Sequence, residues 1–99
     1  ELLSRYAAGQ RDFRNLNLMA ANMRNLNLSG INLSGANLTK ANLSGTNLSR
    51  TNLSNTVLAG TNLKNANLTQ ANLTDVDLKD VDLSQAVTQG AILPTAVQG

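Results

Sequence analysis

Large apolar residues recur at every fifth position along most of this chain. The series is unbroken through 15 repeats, and we call its member in each repeat the central position. The residues at this position are Phe13, Leu18, Met23, Leu28, Leu33, Leu38, Leu43, Leu48, Leu53, Leu58, Leu63, Leu68, Leu73, Leu78 and Leu83. A five-residue step scatters side chains around an α-helix and alternates them between the two faces of a straight strand. Neither element by itself would therefore bury the whole series.

The residues around the central position explain how the series is buried. Two residues before it, side chains are mostly small or β-branched, as at Ala36 and Thr46. The residue directly before it is Asn or Asp in 14 of the 15 repeats, Val57 being the exception, and turn formers such as Ser29-Gly30 follow it. This pattern predicts a right-angle turn after each pentapeptide, so that a residue and the one two before it share the inward side. Four sides would close a coil, with leucines of successive coils stacked about 4.8 Å apart.

The corner residues predict the type of turn. A type II turn needs a positive φ at its third residue, which Gly and Asn adopt at little cost. The corners that meet this need are Gly30, Gly35, Gly45, Gly60, Asn15, Asn25, Asn55 and Asn65. Four other corners carry Lys40, Arg50, Gln70 and Gln85. We expect those four to use another turn type.

The chain resembles the pentapeptide-repeat proteins, whose motif is A-(D/N)-L-x-x. Residues 36–45, Ala-Asn-Leu-Thr-Lys-Ala-Asn-Leu-Ser-Gly, nearly repeat that motif, and the resemblance covers about residues 11–93. It implies an all-β fold, a right-handed quadrilateral β-helix of about four 20-residue coils. The motif weakens where Thr88 takes a central position and Val87 and Ile92 replace Asn or Asp. We therefore expect an irregular last coil.

Both ends of the repeat region need a cover, because a solenoid leaves open strand edges there. Residues 1–10 predict a short helix, with Leu2, Leu3 and Tyr6 at helical spacing and Gly9 after it. We expect this helix to cap the first coil; the alternative is a helix that binds a partner.

At the other end, residues 94–99 form a predicted tail that begins with Pro94, which lacks a backbone donor. Outward-facing Val87 and Ile92 would make a small apolar spot there. The spot is interpreted as a local plug, and the alternative is a homodimer contact through this end.

The composition argues against catalysis. The sequence contains no His and no Cys, so its many serines lack an activating base and thiolate ligands are absent. We predict no catalytic residue, no cofactor and no metal ion. Asp75, Asp77, Asp80 and Asp82 are the one acidic cluster, but they would occupy different sides and corners. We expect a solvated acidic band, with a cation site as the alternative.

The charge is unevenly distributed along the chain. Residues 1–64 carry seven basic and two acidic side chains, a balance of +5, and residues 65–99 carry one basic and four acidic ones, a balance of −3. The total of +2 is too small to indicate nucleic-acid binding, and aromatic residues make up only 2% of the chain. No apolar run is long enough for a membrane span. No signal peptide is visible, so we expect a cytoplasmic location.

These features favour a non-enzymatic structural or protein-interaction module whose protein partner the sequence does not identify. The family resemblance implies an alternative, because some members mimic DNA and bind type II topoisomerases such as gyrase. Such mimicry needs an extended acidic surface. The sequence pI of about 9.5 disfavours it.

Overall fold

The protein is a four-sided solenoid preceded by one short helix. A computed structural model describes residues 1–94; the predicted tail lies outside them except for Pro94. Helix α1 (Leu2–Ala7) comes first. From residue 11 the chain winds in 20-residue coils, which we number 1 to 4 from residues 11, 31, 51 and 71. The molecule measures 44 × 25 × 23 Å.

Neighbouring coils pair through parallel β-bridges between residues 20 positions apart. The bridges run from Asp12↔Asn32 to Asn72↔Ile92. Each pentapeptide contributes a single bridging residue, except those of Asp77 and Asp82, which contribute none, and residues 1–94 contain no longer strand. We name the sides A, B, C and D after the bridging residues of coil 1, which are Asp12, Asn17, Asn22 and Asn27.

Each bridge consists of two backbone hydrogen bonds. Asn37 N–H donates to the carbonyl of Leu16 at 2.8 Å, and Leu18 N–H donates to the carbonyl of Asn37 at 2.8 Å. Only the middle of a five-residue side is extended, because corners occupy the rest. The ladder is therefore interrupted at every corner, and its strands have the length of one bridge.

The core is a central column of leucines flanked by small residues. Twelve of the fifteen central residues are buried, and Leu18, Leu78 and Leu83 are half-buried. The second inward column includes Thr46, Thr51, Thr56 and Thr61. Each of these four hydroxyls donates to a backbone carbonyl. No buried side-chain nitrogen or oxygen in the described residues lacks a hydrogen-bond partner.

The expectation for the corner turns is wrong at three of the four positions. Lys40, Arg50 and Gln70 have φ of 59°, 58° and 58°, like the Gly and Asn corners. Each corner N–H donates to the next coil, as Lys40 does to the carbonyl of Ala59 at 2.9 Å. A left-handed residue other than Gly costs about 1–2 kcal/mol. We attribute the tolerance of this cost to the hydrogen bond and to the stacked core below it.

Coil 4 is irregular, but at a different place from the one the sequence indicated. Val87 and Ile92 bridge normally to coil 3 and coil 4 residues 20 positions earlier. The irregular corners are those of Asp80 and Gln85, which lack the positive φ found at the other described corners. Their turns close with an ordinary i to i+3 hydrogen bond, as from Val81 N–H to the carbonyl of Leu78. This combination is typical of a type I turn.

Candidate functional site

The outward Asn and Asp residues hold the corners of the coil. In each, the side-chain oxygen Oδ1 accepts the backbone N–H two residues further on, as Asn32 does from Ser34 at 3.0 Å. The same bond occurs at Asp12, Asn17, Asn22, Asn27, Asn37, Asn42, Asn47, Asn52, Asn62, Asn67, Asn72, Asp77 and Asp82. This geometry is an Asx-turn. The regular outward column of polar residues therefore has a structural role.

Several Ser and Thr hydroxyls take part in the same arrangement. The hydroxyl of Thr39 donates to Asn37 Oδ1 at 2.6 Å, and that of Ser44 donates to Asn42 Oδ1 at 2.7 Å. The sequence interpretation assigned these hydroxyls to turns but did not anticipate the Asn contact. The repeated Asn-Leu-Ser/Thr triplet was the signal for it. These hydroxyls are hydrogen-bond donors in turns and have no base beside them.

The acidic residues near the C-terminal end remain at the surface. Asp75, Asp77, Asp80 and Asp82 are all exposed, and no group of three potential ligands in residues 1–94 is placed to hold a metal ion. The pKa of Asp82 is lowered, first by the hydrogen bond from Ser84. A hydrogen bond to the charged form favours ionisation.

One ion pair lies on the first coil. Arg14 Nε approaches Asp12 Oδ1 at 2.8 Å, and both side chains are well exposed. The hydrogen bond from Arg14 lowers the pKa of Asp12, and the same contact raises that of the guanidinium. The pair lies in solvent, where such contacts contribute little to stability.

The seam between coils 3 and 4 is open on sides B and C. Among the described residues, no bridge joins Val57 to Asp77 or Asn62 to Asp82. A cleft of about 350 Å³ lies on side B and one of about 290 Å³ on side C. At the corner between them, Gly60 N–H donates to the carbonyl of Asp80 at 3.1 Å. Coils 3 and 4 are therefore apart along sides B and C but remain in contact at the corner between these sides.

A third cleft separates helix α1 from the first coil. Its volume is about 430 Å³, and its lining includes Leu2 and Leu3 of the helix with Leu18, Met23 and Leu26 of the coil. Leu3 is 52% exposed. This cleft is the most apolar of the three.

Helix α1 is too short to be stable by itself, and contacts with coil 1 hold it in place. Leu2 and Tyr6 are half-buried and pack on the core. The guanidinium of Arg11 stacks 3.8 Å above the Tyr6 ring.

Among residues 1–94, no helix has the length and apolarity that a membrane span requires.

The family of the chain follows from the repeat itself. A model described as "Pentapeptide repeats (8 copies)" matches residues 17–55 and 51–87. The chain is a pentapeptide-repeat protein. No curated protein matches this pentapeptide-repeat protein in sequence.

Solved structures of other pentapeptide-repeat proteins are similar to it. Alr5209, a pentapeptide repeat protein from Nostoc Pcc 7120, is 35% identical, with 98% of this chain and 85% of that chain covered and a TM-score of 0.78. QnrB1, a plasmid-mediated fluoroquinolone resistance protein, is 28% identical, with 78% of this chain and 36% of that chain covered and a TM-score of 0.70.

A third structure shows likeness of fold alone. It is a pentapeptide repeat protein from the Arabidopsis thaliana thylakoid lumen, 23% identical, with 82% of this chain and 57% of that chain covered and a TM-score of 0.52. The family model and the likeness to Alr5209 confirm the predicted family.

Proposed function

We propose that this pentapeptide-repeat protein is a non-enzymatic interaction module, a rigid rod that presents regular sides to another protein. The observation that carries the proposal is the use of outward Asn and Asp oxygens to fix the corners, as at Asn32 and Asn62. Those groups are committed to the backbone, and the sequence has no His or Cys to activate a serine. A rigid surface with little loss of entropy on binding suits recognition. In accord with the family resemblance, we also infer that the coil is right-handed.

An affinity experiment tests the interaction role. The tagged full chain is used to capture proteins from the cell in which it occurs, and each captured protein is then purified and titrated directly. Charge reversals at exposed corners, Arg50→Glu and Lys64→Glu, provide matched variants that leave the core unchanged. We expect one partner whose affinity falls in one reversal and not in the other, at equal thermal stability. The proposal fails if every purified protein binds the folded chain no more tightly than it binds the denatured chain.

Gyrase binding, which the family resemblance implies, is the second candidate, and the likeness to QnrB1, a plasmid-mediated fluoroquinolone resistance protein, is the observation that favours it. The charge distribution opposes it. Acidic side chains concentrate at Asp75, Asp77, Asp80 and Asp82, whereas residues 1–64 have a balance of +5. DNA mimicry over the length of the rod would need acidic sides throughout. Supercoiling by gyrase, measured at rising concentrations of the chain, tests this candidate: inhibition would favour it over the first.

The homodimer contact through an end remains part of the proposal. Val87 and Ile92 are 50% and 56% exposed, and adjacent exposed apolar residues favour association. Sedimentation of the full chain and of the double variant Val87→Asp/Ile92→Asp tests the contact. We expect the variant to shift any dimer to monomer; a dimer that persists unchanged would place the contact elsewhere.

A further inference from the structure

The first coil carries an unpaired backbone edge on sides B and C. In coil 2 the bridging residue of each of these sides exchanges two hydrogen bonds with the coil before it, as Asn37 does with Leu16 and Leu18. In coil 1 the corresponding residues are Asn17 and Asn22. Within the described residues, their backbone N–H and C=O groups have no hydrogen-bond partner, and both residues are exposed. An edge of this kind is a template for strand addition.

Helix α1 and the residues after it make their hydrogen bonds to coil 1 at the other two sides. Gln10 Nε2 donates to the carbonyl of Asp12 on side A at 3.0 Å. The hydroxyl of Tyr6 donates to the carbonyl of Ser29, at the corner after side D, at 2.6 Å. The backbone N–H and C=O of Asn27, on side D, likewise have no hydrogen-bond partner among residues 1–94, but there the Tyr6 hydroxyl is bonded at the adjoining corner. On sides B and C the N-terminal segment makes no hydrogen bond to the backbone groups of Asn17 and Asn22 within residues 1–94.

The apolar cleft of about 430 Å³ adjoins this edge, because Asn22 belongs to its lining together with Ala21, Met23 and Leu3. A volume of this size falls within the range of about 300–1,000 Å³ that binding pockets occupy. A strand laid on the edge would direct its inward side chains towards Leu18 and the cleft. The site therefore combines backbone hydrogen-bonding groups with an apolar cavity.

We propose that sides B and C of coil 1 bind, by strand addition, an extended segment of another pentapeptide-repeat polypeptide. This edge continues the interface between coils. The equivalent edge of coil 2 is covered by such a segment, with Asn37 and Asn42 bonded to Leu16 and Ala21. Asn17 and Asn22 present the same groups at the same five-residue spacing. A segment that turns a corner after five residues meets both sides, whereas a straight strand meets one.

This inference rests on the proposed role as an interaction module and names the chemistry of one partner. A synthetic peptide with the sequence of residues 36–45 is a direct probe, because that segment occupies sides B and C within the solenoid. It is titrated into the isotopically labelled full chain up to about 1 mM, the concentration range of weak binding. We expect saturable NMR shifts and slower hydrogen exchange at the backbone amides of Asn17 and Asn22. The amides of Asn37 and Asn42 should not change.

Two controls make the experiment decisive. A peptide with Asp in place of both leucines should not bind, because charged side chains would enter an apolar cleft. In the protein, Leu3→Asp should weaken binding about tenfold, the effect expected when one leucine contact is lost. The matched variant Val57→Asp replaces another exposed apolar residue, 48% exposed and outside the cleft, and should bind as the parent does.

The outcomes separate this inference from the broader proposal. Unchanged Asn17 and Asn22 amides at the highest peptide concentration would overturn it, and so would equal binding of the Asp-substituted peptide or shifts confined to coil 4. None of these results would affect the capture of a protein partner through another surface. Failure of that capture experiment is what would overturn the interaction role.

Discussion

The hydroxyl of Tyr6 donates a 2.6 Å hydrogen bond to the backbone carbonyl of Ser29, a residue 23 positions away in the sequence. The bond joins helix α1 to a corner of the first coil, and the guanidinium of Arg11 stacks over the Tyr6 ring. An isolated helix needs about 12–15 residues to be even marginally stable. Since α1 has six residues, its stability depends on contacts of this kind.

Substituting Tyr6→Phe tests that dependence. The ring is kept and the hydrogen bond is lost, so we expect the free energy of unfolding to fall by about 0.5–1.5 kcal/mol. Chemical denaturation followed by circular dichroism measures the change. Ser4→Ala is the control, since the Ser4 hydroxyl bonds to Glu1 and not to the coil. Equal losses in the two variants would show that the Tyr6 contact does not hold the helix.

Substituting Leu53→Asp should prevent folding. Leu53 is fully buried in the middle of the core, and an unpaired buried carboxylate costs several kcal/mol against a total stability of about 5–15 kcal/mol. Lys40→Ala, at an exposed corner, should be nearly neutral. Thermal unfolding of both variants provides the comparison. A Leu53→Asp protein that melts within a few degrees of the parent would contradict the inward position of this residue.

The corner φ angles predict opposite effects of glycine at two polar corners. Lys40 has a φ of 59°, so Lys40→Gly should relieve left-handed strain and stabilise the protein by about 0.5–1 kcal/mol. Gln85 is not among the residues with positive φ. Gln85→Gly should therefore destabilise the protein by up to about 1 kcal/mol, because glycine loses more entropy on folding. Denaturant midpoints that move in the same direction for both variants would contradict the assigned turns.

The sequence was sufficient to predict the coil and the family, because a five-residue period admits few ways to bury every leucine. Corner geometry was less predictable. The φ of Lys40 is set by its hydrogen bond to Ala59 in the next coil, a contact that residue type alone does not reveal.

The repeat motif also does not predict which sides of the coil are open. Asp77 and Leu78 match it as well as any regular side does, whereas Val87 departs from it and still pairs normally. What differs is the conformation at Asp80 and Gln85, where the hydrogen bond from the preceding coil is accepted by the corner residue itself. Which residue accepts that hydrogen bond depends on packing between coils. The unpaired edge beside α1 likewise depends on where the helix lies.

The Asp12–Arg14 contact predicts a local response to pH. Hydrogen bonding to Arg14 lowers the folded-state pKa of Asp12 below its ordinary value of 3.8. The contact therefore stabilises the fold above that value, and its contribution is lost as the pH falls through the lowered pKa. A carboxyl NMR titration should show the Asp12 pKa rising in Arg14→Ala, with that of Asp82 unchanged. A change in the pKa of both carboxyl groups, or of neither, would contradict the conclusion that Arg14 lowers the pKa of Asp12.

Hydrogen exchange should distinguish open from paired sides of coil 3. The amides of Leu53 and Leu68 donate to Asn72 and Val87 at 2.8 and 2.7 Å, whereas those of Leu58 and Leu63 have no acceptor in the described residues.

All four leucines are at most 2% exposed, so burial does not explain a difference in exchange rate between their amides. Because local opening governs exchange, we expect the Leu58 and Leu63 amides to exchange at least about tenfold faster than the other two. Exchange measured by NMR at constant pH and temperature tests this within one coil and one residue type. Equal protection at all four amides would mean that sides B and C pair in solution as sides A and D do, and the clefts at this seam would then be closed.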